Sequence, residues 1–180
     1  MAHIFDTLFH EIGHAIFGWM FGFPCIPSLI TPGGNHGITL FWDRSMLLQM
    51  LSIGIMLYYG YWLRHYRAVW ASDFFYIFTG IIVLIAFTDY HKQIIDYMGH
   101  GFCLIIGVYF LFKAIFNYHM RHETERFVIG FLGYLLLFGN IKFGAMLFFS
   151  HDAHILYMYE EKTMGIENDF FKSAADIGPF

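Results

Sequence analysis

Five long apolar stretches alternate with short polar segments along this chain of 180 residues. A helix needs about 20 mostly apolar residues to cross a lipid bilayer. The stretches are close to that length, although the third is somewhat short. We therefore predict an all-α polytopic membrane protein with about five transmembrane helices. The predicted helices cover residues 2–22, 45–63, 73–88, 101–117 and 127–149.

The segment at residues 23–43 interrupts this pattern. Its three prolines exclude a continuous helix, and residues 33–37 (Gly-Gly-Asn-His-Gly) are a strong turn signal. Strand-forming residues on both sides, at 28–31 and 38–42, predict a short hairpin. Backbone that is not helical exists at membrane depth only where protein or a water-filled cavity covers it. This hairpin or re-entrant loop is therefore a candidate wall of a cavity. The alternative is an ordinary connecting loop.

The composition supports a membrane protein. Hydrophobic residues make up 58% of the chain and charged residues 13%, whereas a soluble domain carries about 25% charged residues. No basic tract suggests nucleic acid as a partner. We expect one transmembrane domain at residues 1–149 and a polar tail at 150–180. No Lys or Arg precedes Arg44 and no cleavage pattern follows the first helix, so we expect that helix to be retained.

The first predicted helix contains the residues most indicative of chemistry, His10-Glu11-Ile12-Gly13-His14. Two histidines at positions i and i+4 project from one face of a helix and can bind one metal ion, while the glutamate between them can act as a base. Ionisable residues inside a membrane span are costly and usually functional. We therefore predict zinc as the cofactor, with His10 and His14 as ligands and Glu11 as the catalytic residue. The alternative is a pair of histidines hydrogen-bonded across a helix interface.

Zinc in a catalytic site needs a third protein ligand and an open position for water. The polar residues at 88–102, at the predicted junction of the third and fourth helices, are the best source. We favour His100, which lies between two glycines that allow close approach of another helix. Asp96 and Asp89 are alternatives as ligands, or could orient a ligand histidine. Each could instead be a solvated loop residue.

These parts predict a peptidase mechanism. Zinc lowers the pKa of its bound water and polarises a peptide carbonyl, and Glu11 would move the proton from that water to the leaving amine. A substrate helix must unwind first, and an exposed hairpin edge could receive it as an added strand. We predict substrate binding at the turn, and deletion of residues 35–37 without loss of cleavage would contradict it. The turn residues are Gly33, Gly34, Asn35 and Gly37.

The first quarter of the chain resembles the site-2-type intramembrane zinc metalloproteases. The resemblance is carried by residues 10–15 (His-Glu-Ile-Gly-His-Ala), by residues 22–24 (Gly-Phe-Pro) and by the hairpin that follows. It implies hydrolysis of membrane-anchored proteins, with His10 and His14 as ligands and Glu11 as base. The family's usual Asn-Pro…Asp-Gly motif is missing. Residues 99–101 (Gly-His-Gly) instead resemble a divergent bacterial branch, which implies the bacterial inner (plasma) membrane as the location.

Two other functions are compatible with the sequence. A di-iron membrane oxygenase uses several pairs of histidines. In this chain one pair precedes the predicted span at 127–149 and another follows it, so these two pairs would lie on opposite faces of the bilayer. A protease-like accessory subunit of a larger membrane complex would use the glycines of the last helix for close packing. The oxygenase pairs would be His119 with His122, and His151 with His154.

Overall fold

A computed structural model of the protein describes residues 2–30, 36–66 and 68–150. The described residues form five helices and one two-stranded sheet. The order is α1 (Ala2–Met20), β1 (Cys25–Ile30), β2 (His36–Phe41), α2 (Met46–His65), α3 (Val69–Ala86), α4 (Tyr90–Phe116) and α5 (Glu123–Phe149).

The mostly helical fold is confirmed, and among the described residues α2, α3, α4 and α5 are long and apolar enough to cross a membrane. This is consistent with a membrane protein. Helix α1 is not among them, because an aspartate, a glutamate and three histidines within its 19 residues lower its mean hydropathy. That α1 also crosses the bilayer remains a prediction.

The fourth helix begins earlier than the sequence predicts. It starts at Tyr90 rather than at residue 101, so Asp96 and His100 lie inside a helix and not at a junction between two. The polar residues at 90–100 lower the local hydropathy, but no proline among them ends the helix.

Helix α4 packs extensively against both α1 and α5. Two pairs of glycines allow the backbones to approach closely. A side chain at Gly13 of α1 would meet Cβ of Phe102, at 2.7 Å, and Cα of Gly99, at 3.2 Å. A side chain at Gly133 of α5 would lie 2.9 Å from the carbonyl oxygen of Gly107. Helices α2 and α3 pack mainly on each other, and α2 also contacts α1.

The two strands pair in an antiparallel manner, with Cys25 opposite Phe41, and both pack against α1. Burial raises the pKa of the Cys25 thiol to about 11, so the thiol stays protonated and donates a hydrogen bond to the Ala15 carbonyl oxygen at 3.3 Å. The turn predicted at residues 33–37 includes residues 33–35, which lie outside the described residues. Its sequence-based assignment therefore remains a prediction.

Arg44 joins the ends of three helices. Its guanidinium donates to the carbonyl oxygens of Phe21 (3.1 Å) and Ala86 (2.8 Å) and to the side chain of Gln49 (2.9 Å). The carbonyl oxygens at a helix C-terminus have no partner within the helix. Arg44 therefore satisfies these groups just after α1 and at the end of α3, and fixes both against the start of α2.

We expect Arg44→Met to lower the thermal unfolding temperature of the detergent-solubilised protein. The substitution leaves the Gln49 side chain and two carbonyl oxygens without their donor, at about 1–3 kcal/mol for each group that is buried. Arg64→Met is the matched control, because the Arg64–Asp73 ion pair is exposed and such pairs contribute little. Equal unfolding temperatures for the two variants would contradict this role for Arg44.

Candidate metal centre

His10 and His14 lie one helical turn apart on α1 and face each other. Their Nε2 atoms are 2.9 Å apart and their ring centroids 4.5 Å apart. This is the arrangement that the i, i+4 spacing predicts. His14 is only 5% exposed, so the pair lies between α1 and its neighbours rather than on the surface of the bundle.

The backbone of α4 orients His14. A carbonyl oxygen can only accept, so the 2.7 Å contact between His14 Nδ1 and the Ile95 carbonyl oxygen requires the ring proton on Nδ1. The Nε2 atom of the neutral ring then presents a lone pair towards His10. Metal-binding histidines in proteins commonly show this arrangement, with the second ring nitrogen donating to a carbonyl or carboxylate.

His100 brings a third imidazole to the pair. Its ring centroid lies 4.4 Å from that of His10, and Phe143 of α5 stacks against it at 5.1 Å with an interplanar angle of 19°. The Nδ1 atom of His100 lies 2.7 Å from Oδ1 of Asn140. The structure thus brings together the three histidines that the sequence favours as ligands.

Gly99 lies directly beneath the rings of His10 and His14. A Cβ atom at this position would lie 2.5 Å from His14 Nε2 and 2.7 Å from His10 Nε2. Real Cβ atoms do not approach other atoms this closely. The absence of a side chain at Gly99 therefore leaves the space in which the two imidazoles meet.

Imidazole nitrogens are donor atoms that zinc binds, but the Nε2 atoms of His10 and His14 lie slightly too close together for two ligands of one zinc ion. Among the described residues, no group of three or more His, Cys, Asp or Glu side chains is already arranged to hold a metal ion. Two tetrahedral zinc ligands with Zn–N bonds of about 2.0–2.1 Å keep their nitrogens about 3.3 Å apart. The His10 and His14 nitrogens are 2.9 Å apart, so a shift of about 0.4 Å would give the spacing of ligands.

Glu11 is held by the second strand. The carboxylate is 7% exposed, and its Oε2 accepts a hydrogen bond from the Thr39 hydroxyl at 2.7 Å. A Cβ atom on Gly37 would lie 2.5 Å from Cγ of Glu11. Strand β2 therefore passes directly over the glutamate, and it can do so only because residue 37 is glycine.

The other predicted residues lie in several places. Asp96 is half-buried one turn before His100, whereas Asp89 is exposed at the start of α4. His100 follows Asp89 by eleven positions, which is about 16 Å along a helix axis. The turn residues Gly33, Gly34 and Asn35 lie outside the described residues, so their role in substrate binding remains a prediction.

The histidine pairs proposed for an oxygenase do not join this cluster where the structure describes them. His119 and His122 lie between α4 and α5, beyond the C-terminal end of α4. The end of α4, at Phe116, is sixteen residues after His100, or about 24 Å along the helix axis. His151 and His154 lie outside the described residues.

Sequence analysis missed three residues of the site: Asp6, Thr39 and Asn140. Two of them could have been recognised from their positions in the sequence. Asp6 precedes His10 by one helical turn and shares its helix face, and Asn140 is a polar side chain within an apolar span, where such groups usually bond across helices. Thr39 could not be recognised from the sequence, because only the packing of the two-stranded sheet on α1 brings it to Glu11.

Comparison of the chain with protein-family models, with curated proteins and with solved structures finds no match.

Proposed function

We propose that the protein is an intramembrane zinc metallopeptidase that hydrolyses peptide bonds of membrane-embedded protein substrates, in the bacterial inner membrane. The observation that carries this proposal is the meeting of three imidazoles: the rings of His10 and His14 meet above the space left by Gly99, and the ring of His100 contacts that of His10. A buried carboxylate that can serve as a base, Glu11, lies on the same helix.

The three histidines would hold zinc through their Nε2 atoms. Hydrogen bonds from Nδ1 fix the tautomers of His14 and His100 so that both offer a lone pair at Nε2. His10 Nε2 donates the hydrogen bond to neutral His14, and its proton must leave when metal binds. Bound zinc would supply an acidified water and polarise the scissile carbonyl.

Glu11 would act as general base and then as general acid. The Thr39 hydroxyl holds one carboxylate oxygen and so limits the rotation of the side chain. A base must lie within hydrogen-bond reach of the proton that it takes. Glu11 would accept a proton from water and transfer it to the amine of the leaving peptide, while the surrounding helices and β2 limit the entry of other water.

Removal of metal tests the proposal. The protein, purified in detergent and reconstituted into liposomes with single-span model peptides, should contain about one zinc ion per chain. We expect cleavage, detected by mass spectrometry, to stop after treatment with a membrane-permeable chelator and to return when zinc is added. Cleavage that survives complete removal of metal would contradict a metallopeptidase.

A non-catalytic role in a larger membrane complex is the second candidate. A Cβ atom added at Gly139 or Gly144 of α5 would meet nothing within 4 Å among the described residues. Small residues of this kind let the helix of another protein approach closely. Under this candidate, loss of the Glu11 carboxylate would have no consequence for the cell.

A further inference from the structure

We infer that Asn140, held by Asp6, is a positioning residue that sets the tautomer and orientation of His100 for metal binding. The inference rests on the proposed zinc site and deepens it. It assigns a function to two residues that would not touch the metal, one on α1 and one on α5.

The hydrogen bonds of Asn140 fix the direction of its amide. Its Nδ2 atom donates to Oδ1 of Asp6 at 2.8 Å and to the Leu136 carbonyl oxygen at 2.9 Å. Both of these partners are acceptors, so both amide protons are used. The amide oxygen must then face His100. Reversing the amide would break two hydrogen bonds and turn an NH₂ group towards the ring.

The direction of the Asn140 amide determines which nitrogen of the His100 imidazole carries the proton. Oδ1 of Asn140 can only accept, so the 2.7 Å contact requires the proton of neutral His100 on Nδ1. The lone pair is then on Nε2. Loss of Asn140 would remove the acceptor that places this proton on Nδ1, so the tautomer with its proton on Nε2, which cannot bind metal, would become more populated.

The surroundings make this set of bonds rigid. Asn140 is 8% exposed, and hydrogen bonds are stronger in a medium of low dielectric constant. The close crossing at Gly107 and Gly133 holds α5 against α4, and Phe143 covers one face of the His100 ring. The network therefore connects α1, α4 and α5 at the metal site.

The affinity for zinc tests the inference. Substitution of a group that hydrogen-bonds a ligand histidine typically weakens metal binding about 10–100-fold. We expect Asn140→Leu, which keeps the volume but neither accepts nor donates, to weaken zinc binding by about that factor in competition with a chromogenic chelator. Asp6→Asn should have a smaller effect, because its amide oxygen still accepts from Asn140. Ile141→Val, on the exposed side of α5, is the control.

A spectroscopic measurement separates positioning from a merely structural role. In the zinc-free wild-type protein labelled with ¹⁵N-histidine, we expect the His100 signals to report a protonated Nδ1 and an unprotonated Nε2. In Asn140→Leu this preference should disappear while the fold is retained. Because the wild-type spectrum needs no variant, a proton on Nε2 of His100 would overturn the inference even if Asn140→Leu does not fold.

The outcomes separate this inference from the proposed function. If wild-type protein binds one zinc and Asn140→Leu binds it equally tightly, the inference is overturned and the zinc site stands. If wild-type protein binds no zinc, both are overturned. If affinity falls but zinc at saturating concentration restores cleavage, the inference is supported, because Asn140 then acts on binding of the metal and not on the reaction.

Discussion

Gly99→Ala should abolish zinc binding, with zinc content falling from about one ion per chain to nearly none. The added methyl group would occupy the place where the Nε2 atoms of His10 and His14 meet, at 2.7 and 2.5 Å. Hydrogen bonding to Ile95 restrains the His14 ring, so this ring cannot simply swing away. Alanine favours a helix over glycine by about 1 kcal/mol, and α4 itself should not weaken. Elemental analysis of the purified protein measures the effect.

Gly101→Ala is the matched control for this substitution. It makes the same chemical change two residues further along α4, where the new Cβ would meet only the flexible Met98 side chain, at 3.2 Å. We expect this variant to keep its zinc. If both variants keep zinc, or if both lose it, the proposal that the histidines bind metal above Gly99 is contradicted.

Glu11→Gln should retain zinc and lose turnover by a factor of about 10²–10⁴, the usual contribution of a general acid–base residue. Glutamine has nearly the same shape, and its amide oxygen can still accept from Thr39, so the site should remain folded. The uncharged amide cannot take a proton from water. Initial rates of peptide cleavage, measured with zinc content on the same sample, test this expectation.

The same variant decides between the two candidate functions. Glu125→Gln, in the first turn of α5, controls for loss of a carboxylate outside the site. A cell that depends on catalysis should respond to Glu11→Gln as it does to deletion of the gene. A wild-type phenotype for Glu11→Gln would instead favour a scaffold in which the histidines and the glutamate have no chemical role.

Much of the helical plan could be predicted from the sequence, because apolar runs of the right length are a local property. The prediction is wrong at the start of α4, where polar residues at 90–100 lower the hydropathy of eleven residues that are helical. Helix ends depend on capping and packing as well as on composition. The positions of individual helices were therefore predicted more accurately than their ends.

The site could be predicted in part, because some of its contacts join residues that are close together in the sequence. The i, i+4 spacing alone places His10 and His14 together, and the glycines beside His100 favoured that residue among several polar neighbours. The contact between Glu11 and Thr39 depends on how the two-stranded sheet lies on α1. The bond from Asn140 to His100 joins residues 40 positions apart. Local patterns carry no information about such contacts, which arise only when the helices pack.

Anomalous scattering at the zinc absorption edge, recorded from crystals of the zinc-loaded protein, tests the central claim most directly. The proposal predicts one peak bonded to the imidazole nitrogens of His10, His14 and His100. The absence of a peak between these rings, or a peak only at a distant pair such as His119 and His122, would contradict it.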